Sequence, residues 1–284
     1  MNNLIISGFS DEINKDFDTQ LRVASELGVK AIEIRGVNGR SIQTYSVEEA
    51  KELKAKLDAK GMHVSSIGSA IGKIQITDDF EAHFEVFKHV VELCKVFGTK
   101  YIRMFSFFVP EGKADEYEAE VISRLEKLIA YAKEQDVILL HENEKHIYGD
   151  VACRCLNLMK KLYCENFKAV FDFANFVQCG QDTLEAFEMM KPYVVYIHIK
   201  DAMFKDGEVV PAGWGDGNVK AILGKFKENG YQGYLSLEPH LTDFNGFRAL
   251  ENSEAEEKWN MAGETAYHIA LDALKAILWE IDWH

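Results

Sequence analysis

Short apolar runs alternate along the chain with longer segments whose apolar residues recur at helical spacing. The short runs are rich in β-branched and aromatic residues and predict eight strands: Leu4–Ser10, Ala31–Gly36, His63–Ala70, Tyr101–Phe108, Val137–Asn143, Ala169–Phe176, Val194–Ala202 and Tyr234–His240. The longer segments predict a helix after each strand: Phe17–Leu27, Val47–Lys60, Phe80–Phe97, Tyr117–Glu134, Val151–Tyr163, Thr183–Met190, Val219–Glu228 and a C-terminal helix through Trp279. Several helices are followed by a glycine that supplies a left-handed stop: Gly28, Gly61, Gly98 and Gly230.

This alternation predicts the fold class. Eight strand–helix units in 284 residues fit a single α/β domain, a closed (β/α)8 TIM barrel that spans residues 1–284. A doubly wound open sheet is the structural alternative. Such a sheet usually carries a glycine-rich loop after its first strand, and the segment Ser7–Glu12 does not match GxGxxG. Position also favours the barrel, because acidic and imidazole groups follow the C-terminal ends of many strands, where barrel active sites are built.

The composition narrows the classes of partner. Apolar residues make up 47% of the chain and only four prolines occur, so one large core without a linker is expected. A formal charge of −14 repels nucleic-acid phosphates and anionic lipids, which argues against nucleic acid and membranes as partners. The N-terminus has no signal-peptide pattern, and we expect a cytoplasmic protein. The five cysteines form no CxxC pair and are expected to be reduced thiols.

Three motif classes are missing from the sequence. It contains no Walker-type loop, no dinucleotide fingerprint and no GxSxG elbow, which argues against a nucleotide-dependent enzyme and against a serine hydrolase. The expected partner is therefore a small-molecule substrate. A homo-oligomer is compatible with this composition, although no surface for one is indicated.

Four successive strand ends carry groups that bind metal ions: Glu142, Asp172, His198 and Glu238. The ends of strands five to eight share one side of a barrel rim, so these side chains are expected to converge. Strand alternation places Ser236 and His240 on the inward face with Glu238. Three carboxylates and one imidazole make an oxygen-rich site for one divalent metal ion. Mn²⁺ or Mg²⁺ is favoured, with Co²⁺ or Zn²⁺ as alternatives because of the histidine.

The segments around these residues read HENE, FDFAN, HIKDA and LSLEPH. With them the chain resembles the xylose isomerase-like TIM-barrel family, also called the sugar phosphate isomerase/epimerase family. The resemblance covers essentially the whole chain. It implies that Glu142, Asp172, His198 and Glu238 ligate the metal, and that Glu142 and Glu238 also act as the catalytic acid–base pair on opposite faces of the substrate.

The sequence departs from the family pattern in two places. Endonuclease IV-like members carry a histidine three residues after the sixth-strand aspartate, where this chain has Asn175, and no histidine occurs between residues 202 and 218. Together with the acidic charge, this argues against DNA repair. The loop Gly213–Gly217 is similar to the family's Gly-Glu-Gly loop but has Trp214 in place of the glutamate.

The resemblance implies isomerisation or epimerisation of a small sugar, polyol-derived ketone or keto-acid. In this reaction a proton moves between carbons next to a carbonyl through a metal-stabilised enediolate. A metal-assisted hydride shift is an alternative route. A metal-dependent lyase or dehydratase acting on a cyclic polyol or oxidised glycoside, and a non-catalytic accessory barrel, are alternative functions.

Other polar residues near the strand ends are candidates for substrate binding: Lys200, Arg103, Asn175, His240, Glu144, His146, Trp214 and Glu33. Each has a structural alternative. Lys200 binds a substrate oxygen or is solvated, and Arg103 clamps an anion or forms a salt bridge inside the barrel. Glu33 and Arg35 alternate inward on the second strand and are expected to pair with each other if neither binds substrate.

Overall fold

The computed structural model describes residues 4–242 and 261–284. Its main sheet has eight parallel strands, β1 to β8: Leu4–Gly8, Ala31–Ile34, His63–Gly68, Tyr101–Met104, Ile138–Glu142, Phe167–Asp172, Val194–Ile199 and Gly233–Leu237. The strand order is β1-β8-β7-β6-β5-β4-β3-β2. A parallel bridge between Phe9 and Glu33 brings β1 to β2, so the two ends of the sheet meet. The predicted (β/α)8 barrel is confirmed.

Nine α-helices are described, α1 to α9: Phe17–Glu26, Val47–Ala59, Phe80–Phe97, Ala114–Glu134, Ala152–Leu162, Phe173–Gln178, Thr183–Met190, Val219–Glu228 and Gly263–Glu280. Local sequence explains several of their boundaries. Ser46 and Glu49 form a capping box at the start of α2. Gly98 ends α3 at φ 72°, as the glycine pattern predicted. No helix in residues 4–242 and 261–284 is both long and apolar enough to cross a bilayer.

The sixth strand differs from its prediction. The sequence predicted a strand over Ala169–Phe176, but β6 ends at Asp172 and α6 begins at Phe173. The cause is local, because the Asp172 carboxylate accepts a hydrogen bond from the Asn175 backbone N–H at 2.8 Å and so caps the new helix. The turn into α6 brings Asn175 close to the strand ends.

The barrel interior is layered along the strand axis. Its lower layer is apolar, and the buried members are Leu140, Val170 and Tyr196. Two residues further along the same strands come Glu142, Asp172 and His198. The alternate side chains of the same strand, Ile197 and Ile199, pack into the core between strands and helices, as the alternation predicted. The fold therefore places Glu142, Asp172 and His198 at the C-terminal ends of the strands, next to this apolar layer.

Candidate metal centre

The four predicted metal-binding residues converge. Glu142, Asp172, His198 and Glu238 each offer a nitrogen or oxygen atom, and these atoms all lie within 4.8 Å of one another. All four side chains are buried. His198 Nδ1 lies 2.9 Å from Glu142 Oε1, 3.4 Å from Glu238 Oε2 and 3.8 Å from Asp172 Oδ2. Four donors at these separations match the reach of a single cation, since metal–oxygen bonds are about 2.0–2.6 Å long.

The imidazole of His198 is held in one orientation. Its Nδ1 faces the three carboxylates, and its Nε2 lies 3.1 Å from Glu33 Oε2. Ser236 Oγ donates to the same Glu33 oxygen at 2.8 Å. A carboxylate behind a metal-binding histidine fixes its tautomer and leaves the other nitrogen to ligate. Glu33 was predicted as a substrate contact, and the structure places it behind the histidine with its side chain fully buried.

An arginine pairs with the second oxygen of each candidate catalytic glutamate. Glu142 Oε2 accepts from Arg103 Nη1 at 3.1 Å, while its Oε1 also accepts from Asn175 Nδ2 at 3.3 Å. Glu238 Oε1 accepts from Arg35 Nη1 at 3.1 Å. Arg103 lies on β4 and Arg35 directly follows β2, and one oxygen of each glutamate faces the centre.

Two more candidate residues contact Glu238. The ammonium of Lys200 lies 3.0 Å from Glu238 Oε2 and 3.2 Å from Asp172 Oδ2, so Lys200 is paired and buried rather than solvated. His240 Nε2 lies 3.2 Å from Glu238 Oε1. Burial and the nearby Lys200 lower the pKa of His240 to about 4, so its ring is neutral near pH 7.

The pairing expected for Glu33 and Arg35 is wrong. Arg35 donates to both carboxylate oxygens of Asp11, to Glu12 Oε1 and to Glu238, whereas Glu33 pairs with His198. The sequence analysis missed Asp11 and Glu12 as part of this site. Their strand-end position after β1 was the available signal. Burial raises the pKa of the Glu12 carboxyl to about 8, although Arg35 opposes this shift.

The donor set fits a divalent cation. Burial is the main cause that raises the pKa of Asp172 to about 8, with a further contribution from Glu142 and Glu238 and an opposing one from Lys200. Asp172 Oδ2 is buried and lies 3.2 Å from the Lys200 ammonium. A divalent ion among these oxygens would offset the repulsion between the three carboxylates.

The predicted rim residues differ in exposure. Glu144 is mostly buried, and its Oε2 pairs with Lys73 at 2.9 Å. His146 follows it in the same loop, and its side chain is exposed. Glu144 therefore lies at the edge of the charged site, whereas His146 faces solvent.

The loop that contains Trp214 folds around one carboxylate. Asp201 accepts backbone hydrogen bonds from Gly213, Gly215 and Gly217 at 2.8–3.0 Å. Gly215 is required here, because a Cβ would lie 2.6 Å from Asp201 Oδ1. Trp214 is 61% exposed. Its contribution to substrate binding stays a prediction. The loop itself is held in place by the hydrogen bonds from its backbone to Asp201.

Asp201→Asn is expected to destabilise the protein by about 1–3 kcal/mol, because an amide NH2 would face backbone donors. The Tm should fall by several degrees, measured by calorimetry or circular dichroism. Asp206→Asn is the control, since the Asp206 side chain is exposed and accepts from the Glu208 N–H at 3.0 Å. Equal Tm values for Asp201→Asn and wild type would show that Asp201 does not stabilise this loop.

The comparison with known families decides the classification. A family model described as "Xylose isomerase-like TIM barrel" matches residues 21–263. The chain belongs to this family. The resemblance on which the sequence analysis relied is thereby confirmed.

Similar proteins include enzymes of two reaction types. A 3-dehydroshikimate dehydratase of Bacillus anthracis is 22% identical over 193 residues, which cover 67% of this chain and 68% of that protein. The chain covers only 52% and 46% of two further curated relatives. Among solved structures, an L-ribulose 3-epimerase superposes with TM-score 0.76 at 15% identity, covering 99% of this chain and 96% of that chain. An IOLI protein with a bound zinc atom superposes with TM-score 0.75 at 18% identity over 99% of both chains.

Proposed function

We propose that this protein is a divalent-metal-dependent enzyme that moves a proton on a carbon next to the carbonyl of a small polyhydroxylated substrate, as an isomerase or epimerase. One observation carries the proposal: Glu142, Asp172, His198 and Glu238 offer their ligand atoms to one point, with Glu33 behind the histidine. Two structures similar to this chain support the same assignment: the IOLI protein with a bound zinc atom and the L-ribulose 3-epimerase.

Each ligand has a defined donor atom in this proposal. His198 binds through Nδ1, because Nε2–H is donated to Glu33. Asp172 binds through Oδ2, since its Oδ1 caps α6. When bound, the metal acts as a Lewis acid that draws electron density from the substrate carbonyl. Mn²⁺ is our preferred ion, with Mg²⁺, Co²⁺ and Zn²⁺ as alternatives.

The two glutamates transfer the protons. Glu238 removes the proton from the carbon next to the carbonyl, and the electron pair of the broken C–H bond moves toward the carbonyl oxygen. Glu142, in its protonated form, delivers a proton to the opposite face, which inverts that carbon. It can instead deliver the proton to the neighbouring carbon, while the hydroxyl proton on the first carbon passes to the former carbonyl oxygen, and this isomerises the substrate. Arg35 and Arg103 hold these carboxylates in position through the 3.1 Å hydrogen bonds described above.

A dehydratase is the second candidate, and the match to the 3-dehydroshikimate dehydratase favours it. The first step would be the same proton removal. A hydroxyl group on the next carbon would then leave as water after accepting a proton from the second glutamate. The two candidates differ only in whether the substrate carries such a leaving group.

A substrate screen tests the proposal. Protein loaded with Mn²⁺ is incubated in deuterated water with ketoses, inososes, keto-glycosides and 3-dehydroshikimate, and the products are read by NMR. We expect deuterium at the carbon next to a carbonyl, and loss of this exchange after chelation. Turnover that survives chelation would refute the metal-dependent mechanism, and water loss without epimerisation would select the dehydratase.

Glu33→Gln is expected to lower Mn²⁺ affinity by about 10- to 100-fold, because a neutral amide polarises His198 less than a carboxylate does. Metal titration followed by calorimetry or electron paramagnetic resonance measures this change. Ser236→Ala is the control, since it removes the other hydrogen bond to Glu33 Oε2 and leaves the charge intact. A wild-type affinity in Glu33→Gln would show that Glu33 does not support the ligand.

A further inference from the structure

One edge of the buried Arg103 guanidinium has no hydrogen-bond partner in residues 4–242 and 261–284. The residue is 2% exposed, and its Nη1 donates to Glu142 Oε2 at 3.1 Å. Its Nε and Nη2 are also buried, but neither donates a hydrogen bond to any residue within 4–242 or 261–284. A buried donor without a partner is costly, and more so on a charged group. The edge formed by Nε and Nη2 therefore favours binding an external acceptor.

Arg35 shows what the same edge binds within this protein. Its Nε and Nη2 donate side by side to the two carboxylate oxygens of Asp11, at 2.9 and 3.0 Å. This two-pronged pairing is the geometry with which a guanidinium recognises a planar carboxylate. In Arg103, the corresponding two atoms lack such a carboxylate among the described residues.

Two aromatic rings pack against the Arg103 guanidinium. Its Cζ lies 4.7 Å from the ring centroid of Phe105 and 5.2 Å from that of Phe9. The same Phe9 ring contacts the His198 imidazole at 5.3 Å between centroids. Arg103 is thus fixed next to the candidate metal centre.

Gly68 lets the Phe9 ring and the Arg103 guanidinium pack closely against the end of β3. It is the last residue of β3, and a Cβ there would lie 3.4 Å from Arg103 Nη2 and 2.6 Å from Phe9 Cε1. Any side chain at this position would crowd the space beside Nη2. Gly68 therefore helps to hold Arg103 in its position beside Phe9.

We propose that the Nε/Nη2 edge of Arg103 binds a carboxylate of the substrate, which is therefore a hydroxylated carbonyl compound that carries an acid group. This inference rests on the proposed function, because it places that acid beside the reacting carbonyl. Two parallel donors suit one planar carboxylate. The lysines near this rim are already paired, Lys73 with Glu144 and Lys200 with Asp172 and Glu238, so further cations for a phosphate dianion are committed elsewhere.

The test compares matched acidic and neutral compounds on Mn²⁺-loaded protein. The pairs are 2-keto-D-gluconate with D-fructose, and 3-dehydroshikimate with its methyl ester; D-fructose 1-phosphate represents a phosphate. Affinities are measured by calorimetry. In each pair we expect wild type to bind the acid about 10- to 100-fold more tightly, the scale of two charged hydrogen bonds.

Substitutions then assign this preference to Arg103. Arg103→Gln should remove the preference for the acid, and Arg103→Lys, which keeps the charge but not the two-pronged edge, should lose most of it. Reading the ratio of acid to neutral affinity separates recognition from any general effect on Glu142. Arg124→Lys is the matched control and should keep the preference for the acid. Arg124 lies on α4, is also buried, and packs on the rings of Phe80 and Phe107.

The outcomes are distinct from those of the proposed function. Wild type that binds no acid, binds acid and neutral partner equally, or prefers the phosphate would overturn the carboxylate site, and so would a preference that survives in Arg103→Gln. Metal-dependent deuterium exchange without acid preference would refute only this inference. Acid preference without metal-dependent exchange would refute only the proposed function.

Discussion

Glu238→Gln is expected to suppress turnover and substrate deuterium exchange by at least ~10²-fold at saturating metal, the scale of losing a positioned general base. Glu238 Oε1 accepts from Arg35, while Oε2 faces the other three donors of the centre. In the variant, the amide oxygen of the glutamine side chain can keep one of these contacts. The amide can no longer take up the proton from the substrate carbon. Metal affinity should fall less than turnover does, because three ligands remain.

The measurement needs metal occupancy and activity on the same samples. Glu52→Gln is the control, because Glu52 lies on the exposed face of α2, and it should match wild type. Glu142→Gln should behave like Glu238→Gln, except that one variant retains partial exchange if each glutamate serves one face. Near wild-type turnover of metal-saturated Glu238→Gln would remove Glu238 from the catalytic pair while leaving the metal site intact.

Asp172→Asn is expected to lower Mn²⁺ affinity by more than ~100-fold, while the protein stays folded. Loss of a residue that only hydrogen-bonds a metal ligand typically costs ~10- to 100-fold, and loss of a ligand itself should cost more. The Asp172 carboxylate divides its two tasks between its oxygens. Oδ1 accepts from the Asn175 N–H and caps α6, whereas Oδ2 faces the centre, 3.8 Å from His198 Nδ1 and 3.2 Å from the Lys200 ammonium. Asparagine retains the cap, since its side-chain oxygen is equally suited to it, but presents an NH2 to the centre.

Asp182→Asn provides a matched control. Asp182 caps α7 by accepting from the Glu185 N–H at 2.9 Å, which is the same structural task away from the centre. Elemental analysis after Mn²⁺ loading should give about one ion per chain for wild type and Asp182→Asn, and a strongly reduced content for Asp172→Asn. Equal metal content in wild type and Asp172→Asn, or none in wild type, would contradict the proposed ligand set.

The sequence by itself determined the barrel and the four converging groups. Both depend on short-range regularities: the alternation of strand and helix spacing, and the period of two that places Glu142, His198 and Glu238 on inward faces. The neighbour relations of strands in a barrel then bring consecutive strand ends together without further information. The boundary at Asp172 was wrong because one side-chain hydrogen bond started a helix where apolar residues predicted more strand.

Only the tertiary structure decided which side chains pair across the barrel. Arg35 meets Glu238 across 203 positions of sequence, and Glu33 meets His198 across 165. Alternation predicts that such groups point inward but says nothing about which of several nearby opposite charges each one reaches. That choice depends on side-chain length, strand stagger and packing against the Phe9 ring, which are properties of the assembled barrel. The orientation of His198 and the unpaired Nε and Nη2 atoms of Arg103 follow from these contacts.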